Sequence, residues 1–195
     1  LLETHQPDAV VFQGPAGTPN LIRWVGNERG VAPYPCWSGT YRGSAEAGDD
    51  EHVFDGTPDG PLWIPGECDV PIRNHEWFWT PDGGRLRYSL EELQEMYLCS
   101  VGRNCNMLLN ANPGPDGLVP ESDIERYVEL GRWIRRRFGT PAGATTGSGP
   151  VVDLDLREPV LIDAVSVMEE ISEGERIRGY TVEVKRSDAS WQQVC

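Results

Sequence analysis

The sequence predicts an α/β fold: part of a (β/α)8-type barrel, followed by the beginning of a β-sandwich. Three observations carry this expectation. Short apolar runs alternate with helical patterns up to residue 140, as in strand-and-helix units. Residues 141–150, "PAGATTGSGP", are small and uncharged, a flexible linker. Beyond them the hydrophobic period drops to two, the pattern of half-buried strands. The expected organisation is therefore a barrel portion over 1–140, a linker over 141–150 and a truncated sandwich over 151–195.

The elements follow in order. "LLETHQPDAVVF" reads as the end of a helix running into a strand, and "AVVFQG" (Ala9 to Gly14) suits a strand buried on both faces. From Pro15 to about Arg87 the chain reads as a long loop region rich in Gly, Pro and Trp. It holds an acidic tract over 46–59 and, in "PLWIPGECDVPIR", short strand-like pieces broken by proline. "YSLEELQEMYLCSVG" is a helix. Ser89 and Glu92 form a capping box, Leu90, Leu93, Met96, Tyr97 and Val101 recur at helical spacing, and Gly102 is the expected stop. Met107 to Leu109 is a second buried-strand run. "SDIERYVELGRWIRRRFG" is a second helix, with a box at Ser122 and Glu125. Ile124, Tyr127, Val128, Ile134 and Phe138 line one side, and three arginines sit where cations favour the helix dipole. After the linker, Val152, Leu154 and Leu156 alternate with charged residues, as do Tyr180, Val182 and Val184 with polar ones. Both chain ends interrupt a pattern, so a fragment of a longer protein is expected and the lack of a targeting signal carries no information.

The net charge of −14 argues against a nucleic-acid partner, because phosphate binding needs basic patches, and against anionic membrane surfaces. No apolar run has the length of a membrane span. Five cysteines without a CxxC pair and three scattered histidines give no zinc pattern, and no metal or cofactor is expected. Free buried thiols are the default reading; a Cys36–Cys68 disulfide stays open.

Five of the seven tryptophans lie between residues 24 and 79. Aromatic faces stack on the apolar C–H faces of sugars, so this region is a candidate sugar-binding surface. Two carboxylates stand among them: Glu28 four residues after Trp24, and Glu67 four residues after Trp63. Glycoside hydrolysis uses a pair of carboxyl groups, and an aromatic setting suits the protonated member by disfavouring its charge. The competing reading for each is a solvated or ion-paired loop glutamate, with Arg23, Arg29 or Arg73 as partner. "GPAG" after the first strand lacks the Lys-Ser/Thr of a phosphate loop, the acidic tract lacks an EF-hand pattern, and no Ser-His-Asp or Cys-His set assembles.

Five motifs then occur in a telling order: "RWVGNERG" (Arg23 to Gly30), "WIPGECDVPIR" (Trp63 to Arg73), "EWFW" (Glu76 to Trp79), "SVGRNCNMLLNANPGPDGLVP" (Ser100 to Pro120) and "LGRWI" (Leu130 to Ile134). Together they resemble the C-terminal half of the catalytic domain of glycoside hydrolase family 29 α-L-fucosidases, in the branch acting on α-1,3/1,4-linked fucose. Residues 154–184 resemble the opening of the galactose-binding-like β-sandwich that follows that barrel. The resemblance implies a retaining mechanism on a fucosylated oligosaccharide or glycoconjugate, with Glu28 as acid/base. The nucleophilic Asp of a WFDG-type motif does not occur in this chain. Trp24 and Trp77 become candidates for substrate contact and Glu67 a sugar ligand or support for the site. A secreted, periplasmic or lysosome-like setting goes with the family. The alternative is a non-catalytic carbohydrate-binding protein on the same scaffold.

Overall fold

The computed structural model describes residues 2–14, 17–41 and 54–195. Most of the acidic tract over 46–59 lies outside them. A short helix α1 (Leu2–His5) leads into strand β1 (Val11–Phe12), then β2 (Leu21–Trp24). The excursion after β2 carries the hairpin strands β3 (Gly39–Thr40) and β4 (Leu62–Trp63), paired antiparallel. Strand β5 (Gly66–Pro71) follows, then helix α2 (Leu90–Ser100), strand β6 (Cys105–Asn110) and helix α3 (Glu121–Phe138). Strands β1, β2, β5 and β6 form one parallel sheet in that order. Parallel neighbours in chain order, with α2 as the crossover from β5 to β6 and α3 following β6, fit a segment of the barrel alternation.

Two strand expectations change. The run at Ala9–Gly14 pairs over only two residues, and Val10 and Phe12 are exposed; among the described residues β1 has a strand neighbour on one side alone. Residues 21–24, read as loop, form an interior strand instead. Leu21, Ile22 and Arg23 are all buried there, and β2 is paired on both sides. Propensity gave no warning, since a four-residue strand holding an arginine has little pattern. That arginine is satisfied by carbonyl oxygens: its guanidinium donates to Ile64 and, at 2.6 Å, to Trp37.

The helices cover one face of the sheet. The capping box of α2 forms as read: Glu92 N donates to Ser89 Oγ at 3.1 Å, and Ser89 N to Glu92 Oε2 at 2.7 Å. Such a cap contributes about 1 kcal/mol. The helix then tightens into a 3-10 turn over Val101–Arg103, and left-handed Asn104 (φ 67°) ends it, two residues beyond Gly102. Helix α3 starts one residue earlier than its expected box. Pro120 precedes the first turn, Ser122 lies inside the helix, and no side chain caps it. The buried stripe also shifts. Leu130 and Trp133 meet Leu93 of α2, with Tyr97, Leu109 and Ile134 packed around them, whereas Ile124, Val128 and Phe138 are exposed. Trp133 stands edge-on to Tyr97 (5.9 Å) and Phe138 (5.7 Å), arrangements worth roughly 0.5–1.5 kcal/mol each beyond burial.

Residues 141–150 contain no helix or strand. Beyond them only one hairpin forms, β7 (Glu183–Lys185) with β8 (Trp191–Gln193). The expected strand at 152–156 is absent, and Val152 and Leu154 are exposed. An alternating pattern becomes a strand only where a neighbour completes its ladder, and no described residues do so. This segment attaches through polar contacts. Buried Glu175 accepts from Ser38 N at 2.8 Å and from Asn104 Nδ2, Arg178 stacks over Trp37 at 5.2 Å, and Arg137 pairs with Asp163 at 2.8 Å. No helix among the described residues is long and apolar enough to cross a membrane.

Candidate active site

Trp24 closes β2 and Glu28 follows it, at the carboxyl end of a parallel strand where sites form, while Glu67 pairs with Trp24 from the first half of β5 and Trp77 comes from the segment after β5. Strand period two assigns the faces. Arg23, Cys68 and Cys105 turn outwards; Trp24, Glu67 and Asn106 are register partners across three strands and share the inner face. Asp69, two residues beyond Glu67, lies on that face too.

Glu28 sits in the loop leaving β2. Two left-handed glycines bound this loop, Gly26 (φ 84°) and Gly30 (φ 66°). A Cβ on Gly26 would stand 2.6 Å from the Phe54 ring, and one on Gly30 2.9 Å from Val70. Side chains are thus refused at both places on backbone and steric grounds. The loop is sewn to β5, with Val25 N donating to Glu67 O at 3.2 Å and Gly30 N to Asp69 O at 3.1 Å. Asn27 closes it from within: its Oδ1 accepts from Arg29 N at 3.1 Å, and its Nδ2 donates to Val31 O at 2.9 Å. Glu28 at the tip is exposed, and its Oε2 accepts a hydrogen bond from Trp77 Nε1 at 2.9 Å. The ion-pair reading with Arg73 does not hold, because Arg73 is buried against Asp123 at 2.9 Å. Arg23 lies on the opposite face of the sheet.

Trp24 is half-buried. Its Nε1 donates to Asp69 Oδ1 at 2.7 Å, and its ring meets Phe54 edge-on at 6.2 Å. The two indoles therefore each hold one carboxylate, Trp77 that of Glu28 and Trp24 that of Asp69. Burial raises the Asp69 pKa; the Trp24 hydrogen bond opposes this, and the charge of Glu28 adds to it. Buried Glu67 is raised too, first by desolvation and then by Asp69. The charge of Glu28 thus bears on Asp69 and that of Asp69 on Glu67, and both Asp69 and Glu67 are shifted towards the protonated form.

All four sequence candidates (Trp24, Glu28, Glu67 and Trp77) come together. Sequence reasoning missed Asp69, although its spacing of two from Glu67 on a strand puts both on one face. It also missed Asn110 and Asn112 at the end of β6, which hold the segment carrying Trp77: Asn110 Nδ2 donates to Trp77 O at 3.0 Å, and Asn112 Nδ2 to Glu76 O at 2.7 Å. The cysteines play no part on this face. All five are free, and the near neighbour of Cys36 is Cys105, at 3.2 Å between sulfurs, rather than a bonded Cys68. No group of three His, Cys, Asp or Glu side chains among the described residues is arranged to hold a metal ion.

No protein-family model matches the chain. Relatives do. The Arabidopsis thaliana protein α-L-fucosidase 1 is 30% identical over 231 residues, covering 100% of this chain and 44% of the relative. A solved structure from Bacteroides thetaiotaomicron VPI-5482, assigned as an α-L-fucosidase, superposes with a TM-score of 0.80 at 34% identity, over 89% of this chain and 42% of that one. A Ruminococcus gnavus GH29 fucosidase mutant, solved with fucose, superposes with a TM-score of 0.56 at 32% identity, over 66% of this chain and 26% of that one. The chain thus spans less than half the length of these relatives. Sequence and fold together ally this chain with the α-L-fucosidases of glycoside hydrolase family 29.

Proposed function

We propose that the chain carries the acid/base part of an α-L-fucosidase site, and that the whole protein releases terminal α-L-fucose from fucosylated oligosaccharides or glycoconjugates. The observation that carries this is Glu28, held by Trp77 Nε1 at the carboxyl end of a barrel strand in a chain allied with fucosidases. The order and spacing of the motifs support the α-1,3/1,4 branch. A galactose-binding-like β-sandwich beginning near residue 151 goes with the same reading.

In the first step Glu28 donates its proton to the glycosidic oxygen as the C–O bond breaks, while a carboxylate elsewhere in the protein attacks the anomeric carbon. In the second step Glu28 takes a proton from water, which then displaces that carboxylate, with net retention. An exposed position gives the leaving sugar room, and the Trp77 indole fixes one carboxyl oxygen so that the other faces the substrate. Trp24 and Trp77 supply aromatic faces for the sugar, and Glu67 and Asp69 support the floor of the site.

The test is hydrolysis of a fucosylated oligosaccharide by the full-length protein, with the first-formed anomer read by NMR. α-L-Fucose appearing before its β anomer supports the reading; no release, or inversion, overturns it.

A further inference from the structure

We infer that Asn110 and Asn112 are positioning residues that set the place of the acid/base through Trp77, an inference resting on the role proposed for Glu28. The path is continuous. Two side-chain amides at the end of β6 donate to successive carbonyls, Glu76 O and Trp77 O. The Trp77 indole in turn donates to Glu28 Oε2. A carbonyl accepts only from the Nδ2 side of an asparagine, so the direction of both amides is fixed.

The burial of Asn112 argues that its polarity serves more than packing. It is fully buried, yet its Oδ1 has no hydrogen-bond partner. An unpaired buried amide oxygen destabilises a fold, so an apolar side chain would suit stability alone. What the amide supplies is one donor, aimed at the backbone of the residue before Trp77. The base of the same segment is braced independently: Arg73 donates to Asp123 at 3.0 Å, Tyr88 N to Ile72 O at 3.1 Å and Asn74 N to Leu86 O at 2.8 Å. Removing the two amides therefore frees the tip that bears Trp77 while leaving its base in place.

A loosened acid has a particular kinetic signature. It slows bond cleavage only where the leaving group needs a proton. The experiment uses the full-length protein with N110A, N112A, E28Q, and N110A and N112A each combined with E28Q. Each is assayed on 2,4-dinitrophenyl α-L-fucoside and on a fucosyl disaccharide. Misplacement of a catalytic group by about 1 Å can cost ~100-fold. The expected loss of kcat/KM on the disaccharide is therefore about 10- to 100-fold, with less than about threefold on the dinitrophenyl substrate. In the E28Q background the asparagine changes should add nothing on the disaccharide, because both act on one step. Equal losses on the two substrates, or additive losses with E28Q, overturn the inference. N110A, at a half-buried position, keeps the test open should N112A fold poorly.

A second readout separates this inference from the functional reading. In protein labelled with 15N-tryptophan, E28Q should shift the Trp77 indole signal, and N110A and N112A should move it in the same direction. If the variants show this shift while the wild-type protein cleaves no fucoside, the fucosidase reading falls and the tether stands. An unmoved signal would sink the tether whatever the activity.

Discussion

The two faces of the parallel sheet are built to opposite rules. On the outer face Cys68, Val70 and Ile72 are fully buried and the helices close over a cluster around Leu93, Leu130 and Trp133. On the inner face, one residue along in each strand, stand Trp24, Glu67 and Asp69, and the carboxyl groups of the last two are pushed towards protonation. The outer face stabilises the sheet; the inner face carries carboxyl groups whose charged forms burial disfavours. A strand's alternation lets one segment, Glu67–Val70, do both.

That contrast can be broken most severely from the outer side. Arg73 and Asp123 are both buried, so D123A leaves a guanidinium stranded and should lower unfolding stability by about 3–5 kcal/mol in a denaturant titration. L93A empties the centre of the helix cluster, with an expected loss of about 2–5 kcal/mol by the same measurement. S89A removes only the cap of α2 and should cost about 1 kcal/mol.

The inner face should respond with the opposite sign. The folded-state pKa of Glu67 is raised, so the folded protein holds that proton more tightly than the unfolded chain does. Its burden is absent below the ordinary glutamate value of 4.5 and grows as pH climbs through the raised value. E67Q should therefore be more stable than wild type at neutral pH, with the difference closing on acidification. Unfolding midpoints measured across that range check this; an E67Q protein less stable than wild type at neutral pH would show that the charge on Glu67 is compensated.

Sequence reasoning reached the outer face through period and caps: Leu93, Tyr97 and Ile134 pack where helical spacing put them. It failed at β2 and at the end of β6, for different reasons. Strand β2 is made by its two neighbours rather than by its own residues. The roles of Asn110 and Asn112 depend on a carbonyl 33 or 36 residues away, which no local pattern encodes. Glu28 was singled out by its spacing from Trp24 and by the ordered motifs, and the left-handed glycines that bound its loop, Gly26 and Gly30, came to light only in the fold. In residues 151–182 the alternation was present but its partners were not, so the pattern produced no strand.

The central claim is that Glu28 is the acid/base, and kcat/KM of E28Q on two leaving groups tests it most directly. General acid catalysis contributes roughly 100- to 10,000-fold. The full-length E28Q protein should lose activity on that scale towards a fucosyl disaccharide, and should cleave 2,4-dinitrophenyl α-L-fucoside with nearly unchanged kcat/KM. Disaccharide cleavage at the wild-type rate, or an equal loss on both substrates, would contradict it.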